Sequence, residues 1–307
     1  MKAVVVGGFG FLGGAVVDEL VLAGHDVVIF DRAGSQEAID RRHGAGAVRY
    51  VQGDVRHSSA VMTTFRGAEE VYDFAGVLGT SELDDDIAEA ITTNVLGAAV
   101  QFEAAIRQGV RRVLYASKPN VWLNTYSITK WAAEQFADLY NQRGETRFCA
   151  LRYFNAFGPN QSLFPIRKII PMFTALAMRG RPLEVFGDGE QVVDLVYSPD
   201  IARLTVQFLA EEYTDAVVEC GRGVGLTVNE VALAVNEVTG NRGGVRHLPM
   251  RRGEDESSML VADLEVLSKL VGEPRFADLE TSLDVTVDWY RRLPTSDIDH
   301  AVDRLCA

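Results

Sequence analysis

The sequence predicts an α/β protein built on a doubly wound parallel sheet, with a smaller α/β lobe toward its C-terminus. Six short runs rich in Val, Ile and Leu, at 3–6, 27–30, 48–51, 71–74, 113–116 and 148–151, carry the first half of that reading. Several show no polar alternation, as expected of strands covered on both faces. Between them lie stretches at 11–22, 87–106 and 128–141 with apolar residues at helical spacing. Strands alternating with helices form right-handed crossovers, and so a parallel sheet with helices on both sides. Beyond about residue 155 the rhythm changes, and Gly158-Pro159, Phe164-Pro165 and Gly187-Asp188-Gly189 punctuate shorter elements. Helix-like segments at 199–211, 228–238 and 279–290 mix there with short strands near 184–186 and 192–196. The expected division is a first domain over 1–155 with a returning segment near 190–220, and a second over 156–307 covering the carboxyl ends of the strands.

The first strand runs into Gly7-Gly8-Phe9-Gly10-Phe11-Leu12-Gly13. Without Cβ atoms at the glycines, the backbone can turn tightly, approach a pyrophosphate and seat the first helix close to the sheet. The amides at the helix N-terminus then face the anion. Asp31 ends the second strand, 18 residues beyond Gly13. A carboxylate there accepts both ribose hydroxyls of an adenosine and repels a 2′-phosphate, which favours NAD over NADP. The adjacent Arg32 could tolerate that phosphate and keeps NADP open. Asp54-Val55 follows the third strand, either beside an adenine edge or in a plain turn. Phe74-Ala75-Gly76 ends the fourth with small residues that let backbone approach a cofactor. The acidic cluster Glu82, Asp84, Asp85, Asp86 precedes the next helix and reads as a solvated start favoured by its dipole.

Ser117 closes the fifth strand, and nine residues later Tyr126-Ser127-Ile128-Thr129-Lys130 opens a helix with YxxxK spacing. Positions i and i+4 share a helix face, so the Lys130 ammonium can stand near the Tyr126 phenol. A phenol titrates at about 10, and a neighbouring cation draws it toward working pH. YxxxK is common by chance. After a dinucleotide turn and a strand-end hydroxyl it becomes a candidate catalytic constellation.

Composition narrows the partners. With 30 basic and 43 acidic residues the net charge is −13, a field that repels phosphate backbones and anionic lipid. Neither nucleic acid nor membrane is expected, and any anionic ligand needs local amides or arginines. No stretch reaches the roughly 20 apolar residues of a spanning helix. Cys149, Cys220 and Cys306 are widely spaced and the histidines form no i, i+4 pair, so neither a disulfide framework nor a metal motif is expected. The opening only superficially resembles a signal peptide, because glycines interrupt 3–17 and Asp18-Glu19 end the run without a small-residue cleavage site. A cytoplasmic location is expected.

In this order the motifs resemble the extended short-chain dehydrogenase/reductase family, specifically its nucleotide-sugar epimerase/dehydratase branch. The resemblance spans almost the whole chain. It adds Asn94-Val95-Leu96-Gly97 and Leu151-Arg152-Tyr153-Phe154-Asn155-Ala156-Phe157-Gly158-Pro159 to the motifs above. Leu183-Glu184-Val185-Phe186-Gly187-Asp188-Gly189-Glu190-Gln191, Asp194-Leu195-Val196-Tyr197 and Arg251-Arg252-Gly253-Glu254 belong to the nucleotide-sugar lobe and are more specific than the glycine turn. The resemblance implies a Rossmann domain and a homodimer paired through the helices at 87–106 and 128–141. It implies NAD held by Gly7, Phe9, Gly10, Phe11, Leu12, Gly13, Asp31, Arg32, Asp54, Val55, Phe74, Ala75, Gly76, Asn94, Ala116, Tyr126, Lys130 and Tyr153. Tyr126 would be the acid/base, Lys130 its activator and ribose ligand, and Ser117 the hydroxyl partner. A nucleotide-diphosphate sugar would lie against Val77, Gly79, Thr80, Ser117, Asn155, Val185, Phe186, Arg251 and Glu254, with Asn155 on a phosphate, Val185 and Phe186 flanking the base, and Arg251 on the diphosphate.

The sequence departs from that family in two places. The family usually follows the strand-end serine with Ser or Thr, a Val-Tyr-Gly turn and a longer loop. Here Ser117-Lys118-Pro119-Asn120-Val121-Trp122 leads almost directly to Tyr126. Aligned on Val121-Trp122, Lys118 holds the hydroxyl position and Ser117 lies one place early. Either Ser117 serves through a shortened loop, which is the favoured reading, or Lys118 donates to the substrate oxygen. Val193 stands where the family commonly has an arginine, with Arg251, Arg252 or Arg222 to compensate. Pro119 and Asn120 cannot supply the acid pair of a 4,6-dehydratase. The expected reaction is therefore 4-epimerisation of an NDP-hexose, with the small segment Gly76 to Gly79 leaving room for the keto sugar to turn. Oxidative decarboxylation, dehydration and 4-keto reduction are alternatives in the same fold, and a catalytically silent NAD(H) sensor is one from another class.

Overall fold

Valine-rich runs without a polar face must pair with neighbours on both edges and be covered on both sides. In the computed structural model they do so; it describes every residue except 80–82, 120–122, 144, 212–216, 252–256 and 306–307. The chain begins β1 (Lys2–Val6), α1 (Phe11–Leu22), β2 (Asp26–Asp31), α2 (Gln36–His43), β3 (Val48–Gln52), α3 (Ser58–Phe65) and β4 (Glu70–Asp73). It continues α4 (Ile87–Ala90), a π-helical stretch (Ile91–Leu96), α5 (Gly97–Gln108), β5 (Arg112–Ser117), α6 (Thr125–Asn141) and β6 (Arg147–Tyr153). Next come β7 (Asn155–Phe157), α7 (Ile169–Ala177), β8 (Leu183–Phe186), β9 (Val192–Tyr197), α8 (Ser198–Ala210), β10 (Val217–Cys220) and β11 (Gly225–Thr227). The last elements are α9 (Val228–Thr239), β12 (Val245–Leu248), β13 (Met259–Leu260), α10 (Glu265–Val271), α11 (Leu279–Arg291) and α12 (Thr295–Leu305). Two units emerge: Met1–Tyr153 with Ile201–Cys220 and Glu265–Pro274, and Phe154–Asp200 with Gly221–Leu264 and Arg275–Ala307. No helix among the described residues is long and apolar enough to cross a membrane.

The first unit holds a seven-stranded sheet in the order β10-β6-β5-β4-β1-β2-β3, parallel throughout. Val4 faces Val28 on one side and Val71 on the other, and these join Val6, Phe30, Val113, Phe102 and Phe148 in one buried core. The order reverses between β1 and β4, and at such a switch point the carboxyl ends of the strands leave a crevice for ligands. Gly7 N donates to Phe30 O at 2.8 Å and Phe74 N to Val6 O at 2.8 Å, so the two chain segments leave the sheet side by side at that point.

One ion pair ties the far end of this sheet. Arg112 on β5 donates to Glu70 on β4 at 2.8 Å, and both side chains are buried. Tyr72 Oη donates to the other Glu70 oxygen at 2.8 Å, and Arg112 also reaches the carbonyls of Ala210 and Glu211 at 2.9 and 3.0 Å. Both Glu70 oxygens and both Arg112 terminal nitrogens have partners, which lowers the cost of charge inside a sheet, while Arg112 Nε is buried without one among the described residues.

In the second unit β9 is the central strand, antiparallel to β11 and parallel to β7 and β13, while β8 and β12 form a separate parallel pair. Phe157, Phe173, Leu183, Val185, Leu195, Val231 and Leu283 form its core. Asp194, fully buried on β9, accepts from Arg222 N at 2.8 Å, Gly223 N at 2.8 Å and Ala262 N at 3.1 Å, so its carboxylate fastens two loops to the strand. Burial pushes that carboxyl up while the three amides oppose the shift.

Removing one partner of a buried ion pair strands the other, at about 3–5 kcal/mol. Arg112→Met is therefore expected to lower the unfolding free energy by that order in urea titrations, whereas Arg41→Met, on an exposed pair with Glu37, should change it by less than about 1 kcal/mol.

Candidate active site

The glycine turn after β1 has no room for side chains. Gly7 sits at φ +75°, and a Cβ there would lie 2.8 Å from the Phe74 carbonyl carbon and 2.9 Å from Ala75 N. A Cβ on Gly13 would fall 2.3 Å from Gly7 O. Gly10 caps α1 without a side-chain hydrogen bond, so the first amides of the helix keep their positive end open. A backbone cradle with open amides fits the diphosphate of a dinucleotide.

Asp31, the last residue of β2, is fixed by two backbone amides. Its two oxygens accept from Phe9 N at 3.0 Å and Ala33 N at 3.1 Å, and each keeps a further lone pair. Arg32 lies 3.7 Å from Glu89. Asp54 is gripped by Arg56 through Nε at 2.9 Å and Nη2 at 2.6 Å, which holds its carboxyl down at about 2. Val55 is buried, and a Cβ on Gly97 would meet it at 2.7 Å, so the glycine allows α5 to close over it.

α6 carries the reactive pair. Asn124 caps it by accepting from Ser127 N at 2.8 Å, which starts the helix one residue before Tyr126. Lys130 is buried one turn on, donates to Ala116 O at 2.8 Å and lies 4.5 Å above the centroid of the Tyr115 ring. Burial pushes its ammonium down to about 8, opposed first by Asp73 and then by Glu134. Asp73, buried at the end of β4, is pushed up to about 6 by burial, against Lys130, Ala75 N and Gln101. Tyr126, half-buried, is pushed up by burial, and no cation counters the shift. The spacing alone led us to expect the opposite direction. The reason lies in where the Lys130 charge is directed: toward the Ala116 carbonyl, Asp73 and Glu134 rather than the phenol.

Asn94, in the π-helical stretch, joins the segment after β4 to α6. Its Oδ1 accepts from Val77 N at 2.8 Å, and its Nδ2 donates to Val77 O and to Thr129 Oγ1, both at 3.1 Å. Widened turns of this kind recur at functional sites. Gly76 lies against both partners: a Cβ there would stand 3.0 Å from Asn94 Oδ1 and 3.4 Å from Lys130 Nζ. Gly79 is buried nearby in the chain, and Thr80 lies outside the described residues. Phe74 stacks on Tyr153 at 5.9 Å, and the Tyr153 hydroxyl pairs with Thr205 Oγ1 at 2.8 Å.

Ser117 and Lys118 part ways at the end of β5. Ser117 is buried and its Oγ donates to Glu134 Oε1 at 2.5 Å; Glu134, fully buried, also takes Arg152 Nε at 3.0 Å and Nη2 at 2.7 Å. The favoured expectation, a Ser117 hydroxyl offered to substrate, thus differs from the structure, where its proton is directed to an internal carboxylate. Lys118 Nζ donates to Ser127 Oγ at 2.6 Å and lies 5.9 Å from the centroid of the Tyr126 ring.

In the second unit, Asn155 is half-buried on β7 opposite Leu195 of β9. The Val185 side chain belongs wholly to the core, so of the pair expected at a nucleobase only Phe186 shows a face, and Arg251 lies 4.8 Å over its ring. Val193 packs against the same core, which explains an apolar residue there. Asn120, Val121, Trp122, Arg252 and Glu254 lie outside the described residues. Among the described residues no His, Cys, Asp and Glu cluster could hold a metal ion.

Sequence reasoning missed Asp73, Gln101, Glu134 and Arg152. Gln101 donates to Asp73 at 3.0 Å and completes the acid's partners beside Ala75 N. The signal for Glu134 was present: it stands at i+4 from Lys130, on the buried face of α6.

The model of the NAD dependent epimerase/dehydratase family matches residues 3–221. The chain is 27% identical to a UDP-glucose 4-epimerase of Lacticaseibacillus casei, covering 96% of this chain and 98% of that protein. It is 23% identical to a UDP-N-acetyl-alpha-D-glucosaminuronate decarboxylase of Bacillus cytotoxicus, covering 95% and 98%. The crystal structure of the Thermus thermophilus UDP-glucose 4-epimerase in complex with NAD superposes with a TM-score of 0.84 at 25% identity, over 96% of this chain and 100% of that one.

The Lys130 ammonium is expected to lose its proton near pH 8 in the ligand-free protein, as followed by lysine side-chain NMR and assigned with Lys130→Arg. Asp73→Asn removes the larger opposing charge and should move that titration lower. A Lys130 signal titrating at the ordinary value of about 10.4 would contradict the described burial.

Proposed function

The chain belongs to the NAD dependent epimerase/dehydratase family, and from that premise we propose that it is a 4-epimerase of a nucleotide-diphosphate hexose. NAD is the cofactor of this family. The observation that carries the reading is the kind of group gathered at the start of α6: a phenol and two ammonium groups, with the carboxylates of the constellation bonded inside the protein. Asp73 is bonded to Ala75 N and Gln101, Glu134 to Ser117 and Arg152, and Asp84 to the Thr125 hydroxyl and amide. A dehydratase needs an acid and a base beside C5 and C6, and these carboxylates have other partners.

Bound NAD supplies a reversible hydride acceptor for C4. The glycine turn 7–13 and the N-terminus of α1 hold its diphosphate, Asp31 its adenosine ribose, and Lys130 its nicotinamide ribose. As the phenolate, Tyr126 Oη would take the C4 hydroxyl proton as the carbon is oxidised and, as the phenol, return it to the C4 oxygen when the ketone is reduced on its opposite face. Gly76 and Val77, fixed by Asn94, line the space in which the ketone turns. In the second unit Arg251 offers a cation for the sugar diphosphate, and Phe186 an aromatic face for the base. An acidic chain needs such local donors.

The protein also pairs with a second copy of itself. Ile128, Trp131, Phe136 and Leu139 on α6 are 38–51% exposed, and Ile87 and Ile91 on the preceding helical stretch are about half exposed. An apolar stripe of this size on one side of two helices is the surface that a symmetric four-helix contact covers.

Incubation with UDP-glucose, UDP-N-acetylglucosamine and other NDP-hexoses is expected to yield the C4 epimer of at least one, without net nicotinamide reduction. Tyr126→Phe should lower that rate by about 10²–10⁴-fold. Release of CO₂ from a uronic acid substrate would instead favour the decarboxylase reading that the Bacillus cytotoxicus relative suggests, and no turnover with added NAD would refute the proposal. Light scattering should give a dimer mass for the wild type and a monomer mass for Trp131→Glu; a monomeric wild type would contradict the pairing.

A further inference from the structure

Two candidate donors stand at the end of β5 (Ser117) and one residue beyond it (Lys118), and each reaches a different residue on the buried face of α6. Ser117 points inward to a carboxylate that is already bidentate with Arg152. Lys118 meets α6 nearer its start, in the first turn of the helix. Its partner there, Ser127 Oγ, is held in place because the Ser127 amide is tied to the Asn124 cap. That arrangement keeps the ammonium beside the ring of Tyr126.

We propose that the Lys118 ammonium, rather than the Ser117 hydroxyl, is the hydrogen-bond donor to the sugar C4 oxygen, and that Ser117, Glu134 and Arg152 form an internal clamp that fixes the end of β5. This assignment rests on the 4-epimerase reading above. For Ser117 to donate to substrate it would have to leave a charge-assisted bond to a fully buried carboxylate, and stripping a partner from such a group is costly. Lys118 is half-buried and carries three donors, so a ligand oxygen can replace one of its present partners without stranding a fully buried charge.

An ammonium at this place does more than a hydroxyl can. It favours the Tyr126 phenolate that accepts the C4 hydroxyl proton, and the negative charge that builds on the C4 oxygen as that proton leaves. Burial pushes the Tyr126 phenol up, and Lys130 directs its charge elsewhere. In the ligand-free protein Lys118 does not offset this either; under the proposal it does so once the C4 oxygen draws it toward the phenol. It keeps its own proton throughout: Tyr126 Oη takes the hydroxyl proton, and the C4 hydride passes to bound NAD⁺ and back. Atoms and electrons balance over the cycle.

The test uses full-length protein, NAD⁺ and the NDP-hexose that the wild type interconverts, with Ser117→Ala, Lys118→Gln and Lys118→Arg. Lys118→Gln is expected to lower kcat by about 10²-fold with little change in KM, and to move the acidic limb of the kcat/KM profile to higher pH. Lys118→Arg should recover part of the loss. Ser117→Ala should cost only several-fold while lowering the Tm. If it proves unstable, Ser117→Cys and the Lys118→Gln pH profile carry the same comparison. A larger loss in the folded Ser117 variant than in Lys118→Gln, or a Lys118→Gln profile identical to the wild type, overturns the assignment. A wild type that interconverts no sugar nucleotide fails at an earlier point and counts against the 4-epimerase reading instead.

Discussion

One buried ammonium organises the catalytic end of the first unit. Lys130 has no water to solvate it, and burial alone would strip its proton. The Ala116 carbonyl and the charges of Asp73 and Glu134 keep it protonated to about pH 8. Each of these groups is in turn held by something else. Asp73 needs Ala75 N and Gln101, Glu134 needs Arg152, and Ala116 is fixed by the pairing of β5 with β6. A change at any one of them is felt by Lys130, because unpaired charge in a low-dielectric interior is far more costly than the same charge at a surface.

The same economy of charge explains how a protein of net charge −13 can hold a dianionic ligand. Its bulk field is repulsive, so attraction has to come from backbone amides and a few cations at fixed places. The glycine turn provides the amides, and its geometry tolerates no Cβ. In the first unit Lys118 and Lys130 are the candidate cations. The acids that accompany them are directed inward, where they hold cations in position without facing an anion.

Much of the first unit was legible because its signals are local. The strands of the sheet announce themselves as unbroken apolar runs, and α1 begins and ends where glycines and apolar spacing put it. α2 has one buried residue, Ile39, and so no periodicity to read. The π-helical stretch is invisible because widening a turn leaves an apolar helical pattern nearly intact. In the second unit α7 is apolar on every side and carries Pro171, which reads as a breaker although it sits in the first turn, where the missing N–H costs little. β10 to β13 are two to four residues long, too short for any pattern. In the site, spacing told which residues share a face but not which partner each would choose. YxxxK put Tyr126 and Lys130 one turn apart on α6 but gave the opposite direction for the phenol. The choice between Ser117 and Lys118 turned on which α6 residue each one meets, Glu134 or Ser127, and single polar residues in otherwise apolar patterns do not announce that.

The central claim is that the Tyr126 proton transfer is coupled to reversible hydride removal at C4 of a sugar nucleotide, within one closed site. An NDP-hexose carrying deuterium at C4 tests it most directly, with the product analysed by NMR and mass spectrometry. The account predicts an epimer that keeps its deuterium at C4, with no hydrogen gained from water, formed about 10²–10⁴-fold more slowly by Tyr126→Phe. Loss of the label to solvent, or an undiminished rate in Tyr126→Phe, would contradict it.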